Sequence, residues 1–150
     1  MYKRQVFTQD YGPEARGGAC RADVIISEEP VRYPYIDTPS IMVAMSQAAY
    51  DKYIGGVRED TLVIIDEDLV KPMGTGSNQL LMVPATRIAE ELGRVAVANV
   101  VMMGFLTAAT NVLSRDAMKN SILASVPPGT EDLNTDAFER GFDYTKAKAS

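Results

Sequence analysis

An α/β fold with a mostly parallel sheet is predicted for this chain by three observations. Short runs rich in Val, Ile and Leu recur at 22–27, 41–45, 61–66 and 80–83. They alternate poorly between apolar and polar residues, as strands covered on both faces do. Helical patterns lie between and after them, and strands interleaved with helices build parallel sheets. The composition, 46% hydrophobic and 23% charged over 150 residues, is that of one soluble globular domain. A chain of this size buries roughly 70% of its unfolded surface, enough for a core.

In chain order, Met1 leads at once into a short VFTQ run, where an α/β domain ordinarily opens with a strand, a turn and a helix. That first unit is expected to be missing. Tyr2-Lys3-Arg4-Gln5 back-translates to TAT-AAG-AGA-CAG, the end of a transposase adapter, so residues 1–5 are expected to be a non-native scar before a single domain over 6–150. A native basic N-terminus is the alternative. Ser46 is placed to cap a helix that runs to about Tyr53, before the Gly55-Gly56 stop. Ala85, Ile88, Ala89 and Leu92 share one helical face, with Pro84 at the start and Gly93 just past the end. Ser114 heads a helix carrying Met118, Ile122 and Val126, ended by Pro127-Pro128-Gly129. Thr130 is expected to cap the last helix, with Glu131 and Asp132 favouring its dipole. KPMGTGSN, residues 71–78, reads as a flexible connector.

The uncharged stretch VAVANVVMMGFLTAATNV, residues 95–112, approaches the length of a membrane span. Asn99, Thr107, Thr110 and Asn111 interrupt it, so a helix buried in the core or in a subunit contact is the favoured reading. A helix apolar around most of its circumference needs cover on both sides, a first sign of a partner chain.

Charge and composition exclude several classes of function. A net charge of −5 disfavours nucleic-acid binding, which rests on neutralising phosphates. A single cysteine rules out a disulfide scaffold, and alone it holds neither a metal nor an iron–sulfur cluster. The absence of histidine removes the commonest general base and the Ser-His-Asp triad. With no signal peptide recognised, a reducing cytoplasm is the expected location. Neither a catalytic acid–base pair nor a metal site is expected.

DYGPEARGGACRADVIIS, residues 10–27, concentrates the candidate site. Tyr11, Gly12, Pro13 and Glu14 form a shaped turn, and Gly17 and Gly18 permit unusual backbone angles or a close approach. Arg16 and Arg21 flank the glycines and are suited to bidentate contact with phosphate or carboxylate. The loop therefore reads as anion-recognising or partner-docking. On composition alone an ordinary turn is favoured, its arginines pairing with Glu14, Asp10 or Asp23. Cys20 reads as a small buried hydrophobe rather than a nucleophile. Asp66, Glu67 and Asp68 follow an apolar strand, where ligand crevices of open sheets form, but a solvated turn is preferred. The Ser46 hydroxyl is a cap before it is a nucleophile.

The same loop, followed by EEPVRYPYI, MVAMSQAAYDKY, VPATRIAEELGRVAVANVVMMG and SVPPGTEDLNTDAFERGFDY, resembles the gamma subunit of 2-oxoacid:ferredoxin oxidoreductases, most closely the 2-oxoglutarate type. The likeness runs from about Val6 to near the end. It departs from the family at the front, where a GxGGQG-type turn is absent. The resemblance implies three layers, with helices on both faces of a mixed sheet. It implies a cytoplasmic enzyme complex of anaerobic metabolism that oxidatively decarboxylates a 2-oxoacid with coenzyme A, giving acyl-CoA, CO2 and reduced ferredoxin. Thiamine diphosphate and iron–sulfur clusters would sit on thiamine-binding alpha and beta subunits and a ferredoxin-like delta subunit. This chain would complete the assembly and shape the coenzyme A approach, binding no cofactor itself. Arg16, and less directly Arg21, would then meet coenzyme A phosphates or a carboxylate across a subunit contact, with Glu14 orienting Arg16. Asn99, a polar residue within an apolar helix, would find its partner in backbone or a neighbouring subunit. The competing reading is a free-standing α/β module that binds coenzyme A or a nucleotide.

Overall fold

The computed structural model describes residues 4–10, 19–32, 36–73 and 78–148. β1 (Arg4–Asp10) and β2 (Arg21–Ser27) form an antiparallel ribbon whose register runs from Arg4 opposite Ser27 to Asp10 opposite Arg21. The ladder thus includes Arg4 and Gln5, which the sequence reading set aside. β3 (Ile41–Ala44), β4 (Leu62–Asp66) and β5 (Leu80–Val83) make a separate sheet with β4 in the middle. Val63 N–H donates to Gln79 O at 2.8 Å and Glu67 N–H to Val83 O at 3.0 Å, so both positions advance together and the two strands run parallel. Val63, Ile64, Ile65 and Asp66 are all buried, which is why the run does not alternate. The expected mixture of strands and helices around a largely parallel sheet is therefore observed.

The chain divides into two compact units, Met1–Val63 with Pro72–Leu80 and Ile64–Lys71 with Leu81–Ser150. In the first, α1 (Gln47–Tyr53) begins where Ser46, in extended backbone, accepts the Ala49 N–H on its hydroxyl at 3.2 Å. Tyr50 is the buried residue of this helix, and a 3-10 turn, Ile54–Gly56, ends it. Thr61 ties the return segment down, its hydroxyl donating to Pro39 O at 2.7 Å.

In the second unit, α2 (Ala85–Glu91) buries Ala85, Ile88 and Ala89, and Gly93 at φ 82° occupies the left-handed position after it. A 3-10 turn, Val95–Val97, leads into α3 (Ala98–Thr110), which ends at Asn111 with φ 50°. α4 (Arg115–Leu123) is capped by Ser114, whose hydroxyl accepts the Ala117 N–H at 3.3 Å, and it buries Met118 and Ile122. α5 (Glu131–Lys148) has Glu131 and Asp132 in its first turn. Thr130 precedes it, donating its hydroxyl to Pro127 O at 2.7 Å and accepting the Asn134 side-chain amide on that oxygen at 3.1 Å.

The apolar segment 95–112 is largely buried in the core, one of the two placements expected for it. It is a short turn followed by a helix, and α2, α4 and α5 of the same chain pack against that helix. Its apolar character therefore follows from intrachain packing and requires no second chain. Among the described residues, no helix is long and apolar enough to cross a membrane.

Candidate functional site

The site begins at Arg21, the first residue of β2 and the last of the candidate loop. Tyr11, Gly12, Pro13, Glu14, Arg16, Gly17 and Gly18 lie outside the described residues. Residues two apart on a strand share a face, which sets Arg21 beside Asp23. Arg21 Nε donates to Asp23 Oδ1 at 2.6 Å, and Nη2 donates to Ile36 O at 2.5 Å. The guanidinium also lies 5.7 Å from the centroid of the Tyr53 ring, within cation–π range. One of the pairings foreseen for an ordinary turn, Arg21 with Asp23, is thus present. Cys20 differs from expectation: it is exposed, because it stands in the extended link before β2 rather than on a packed strand.

These residues open onto a cleft of about 260 Å³ within the first unit. Its apolar side comes from Pro39, Ile41, Met42 and Val57, and α1 contributes Lys52 and Tyr53. Ligand pockets commonly span ~300–1,000 Å³, so this cleft suits one end of a cofactor-sized molecule rather than all of it. Lys52 sits in the last turn of α1, where a cation favours the helix dipole, with its Nζ 5.1 Å from the Tyr53 centroid. The Tyr53 ring therefore has two cations within reach, Arg21 and Lys52. Sequence reasoning missed Lys52 and Tyr53. The only signal was their place in AYDKY, just ahead of the Gly55-Gly56 stop.

A second cavity, about 630 Å³, is lined by residues of α2 and α5 in the second unit. Its arginines are committed to carboxylates: Arg140 pairs with Glu91 at 2.7 Å, and Arg87 pairs with Glu67 and Asp68. This surface reads as an ion-paired helix contact.

The acidic run forms the expected turn at Glu67 and Asp68, the latter exposed, but not at Asp66. Asp66 is fully buried, and its Oδ2 accepts both the Thr86 N–H at 2.9 Å and the Thr86 hydroxyl at 2.6 Å. Its Oδ1 accepts the Asp68 N–H at 3.1 Å. The carboxylate thereby fastens the end of β4 to the first turn of α2, where free backbone N–H groups need acceptors. Glu67 and Asp68 turn to Arg87 instead, and the described residues contain no group of three His, Cys, Asp or Glu side chains placed to hold a metal. Ser46 acts as the helix cap it was expected to be. Asn99 is exposed in the first turn of α3, with its side-chain oxygen accepting the Val100 N–H at 2.9 Å, so it is not enclosed by apolar neighbours.

Comparison with known proteins places these features in a family context. The pyruvate ferredoxin/flavodoxin oxidoreductase family matches residues 3–144. The 2-oxoglutarate synthase subunit KorC of Methanocaldococcus jannaschii is 47% identical over 147 residues, covering 96% of this chain and 79% of that protein. The crystal structure of a keto/oxoacid ferredoxin oxidoreductase gamma subunit from Geobacter sulfurreducens is 34% identical with a TM-score of 0.84, covering 97% of this chain and 80% of that chain. The 2-oxoglutarate:ferredoxin oxidoreductase of Magnetococcus marinus, solved with 2-oxoglutarate, coenzyme A and succinyl-CoA bound, shares the fold at a TM-score of 0.85 and 20% identity, over 97% of this chain and 26% of that one.

Proposed function

This chain belongs to the pyruvate ferredoxin/flavodoxin oxidoreductase family, and from that premise we propose that it is the gamma subunit of a cytoplasmic 2-oxoglutarate:ferredoxin oxidoreductase. The reaction joins a 2-oxoacid and coenzyme A into acyl-CoA and CO2, and two electrons pass to ferredoxin. Thiamine diphosphate and iron–sulfur clusters on the alpha, beta and delta partners supply the decarboxylation and electron-transfer chemistry. The donor set of this chain fits that division of labour, because one cysteine and no histidine cannot ligate a cluster that takes four.

This chain's own part is to shape the approach of coenzyme A and to complete the assembly. The observation that carries the reading is the cleft lined by Cys20 and Arg21, with Lys52 of α1 also among its lining residues. An apolar stretch beside two cations suits a molecule with an uncharged arm and phosphates at one end. Arg21, fixed by Asp23 and Ile36 O, would hold the loop's exit in register. Arg16, oriented by Glu14, would meet a phosphate or a partner's carboxylate, with Gly17 and Gly18 admitting the ligand to the backbone.

The test is Arg16→Ala in the assembled complex. A lost charge-assisted contact should raise the apparent KM for coenzyme A about tenfold while kcat and the 2-oxoacid KM hold. Dissociation of the complex on a sizing column would instead make Arg16 an assembly residue and overturn its assignment to coenzyme A.

A further inference from the structure

We infer that Lys52, rather than Arg21, is the cleft cation that takes up an anionic group of the incoming co-substrate, which in coenzyme A is a phosphate. The inference rests on the coenzyme A reading above and assigns a residue that neither the loop motif nor the family likeness points to.

The argument starts from the partners of each cation. Arg21 donates Nε to a carboxylate at 2.6 Å and Nη2 to a carbonyl at 2.5 Å. Its charge is already matched by the Asp23 carboxylate, so an incoming phosphate would have to compete with that ion pair. Arg87 and Arg140, which line the other cavity, are held in ion pairs. Lys52 lines the cleft, is exposed, and makes no ion pair with any described residue. It combines access to a cavity with an uncommitted charge.

The surroundings of Lys52 add a second reason. Its Nζ lies 5.1 Å from the Tyr53 centroid and the Arg21 guanidinium lies 5.7 Å from the same centroid. Two like charges share one aromatic ring, and Asp23 is engaged on the Arg21 side only. The other carboxylate of the cleft, Asp37, is exposed and forms no ion pair with Lys52. An anion entering beside Lys52 would supply the missing counter-charge, with the Tyr53 ring steadying the ammonium. A lysine also suits this task mechanically, because a compact charge on a flexible stem can follow a phosphate as the ligand seats.

The test uses the assembled complex and coenzyme A itself. Lys52→Gln should raise the coenzyme A KM about tenfold, leave kcat and the 2-oxoacid KM unchanged, and flatten the rise of that KM with salt. Lys52→Arg, which keeps the charge, should return the KM to within about twofold of the parent. An unchanged KM in Lys52→Gln, alongside a raised KM in Arg16→Ala, would overturn the Lys52 assignment and leave the coenzyme A reading standing. Unchanged values in both variants would overturn the two together. If kcat and both KM values shift jointly in Lys52→Gln, the lysine is an assembly residue and the inference fails.

Discussion

Tyr50 carries a buried phenol oxygen with no hydrogen-bond partner among the described residues. Burial, with Asp51 adjacent, raises its pKa above the usual tyrosine value, so the group stays protonated and uncharged. A buried hydroxyl left unbonded is a standing penalty, since it gave up water and gained nothing in exchange. Tyr50→Phe keeps the ring and removes that penalty. It should hold or raise stability, by up to about 1 kcal/mol, in a urea-midpoint comparison. A loss of more than about 1 kcal/mol would show that the oxygen has a partner after all. Asp66 is the opposite case: it is equally buried, but three hydrogen bonds satisfy its carboxylate. Neither environment was legible in the sequence. Tyr50 sits in a run whose cap could be read, and Asp66 opens an acidic run that resembles a surface turn. What decides the Asp66 environment is Thr86, distant in the chain, and no local pattern encodes it.

At the scale of elements, the contact between α3 and α5 depends on two glycines. A Cβ on Gly104 would stand 2.1 Å from the Phe138 carbonyl oxygen, and one on Gly141 would stand 1.9 Å from the Val101 carbonyl oxygen. Each helix presses its backbone against the other's glycine, and around this point Phe105 meets Tyr144 at a centroid distance of 6.2 Å. Alanine at either position would gain about 1 kcal/mol of helix propensity, yet it must push two backbones apart. Gly104→Ala and Gly141→Ala should therefore each cost about 2–4 kcal/mol net, measured by chemical unfolding. Gly55→Ala is the control, since nothing lies within 4 Å of a Cβ there, and it should be near neutral. Equal midpoints for all three variants would mean the helices can separate at little cost. The elements themselves were largely legible. Ser46 and Ser114 announce the helices they cap, and Gly93 announces an end, because capping and left-handed turns are local physics. The glycine pair was not legible. In sequence Gly104 and Gly141 only weaken two helices, and their use appears when the helices cross.

The whole molecule carries a formal charge of −5 and a sequence pI near 4.7, so acid acts on it in two ways. As pH approaches the pI, charge repulsion between copies fades and association is favoured, with no change in the fold. Separately, acid removes a specific contact in the second unit. Glu139 on α5 takes Lys119 Nζ at 2.9 Å and also pairs with Arg115, both on α4, and Arg115 lies over the Phe142 ring at 4.8 Å. Burial raises the Glu139 pKa, but hydrogen bonds and charge from Lys119 and Arg115 outweigh it, so the carboxyl sits below its ordinary 4.5. A folded-state pKa lower than the unfolded one gives stability that is fully present above the unfolded value. That stability is lost as pH falls through the folded one. Glu139→Gln should thus be less stable than the parent by about 0.5–1 kcal/mol at pH 7, the scale of a part-exposed ion-pair network. The gap should close as pH falls through and below the ordinary glutamate range. Unfolding midpoints of the two proteins at pH 7 and at pH 3, on the acid side of the pI where solubility returns, would show it. A gap that persists at low pH would assign the effect to packing of the side chain rather than to its charge.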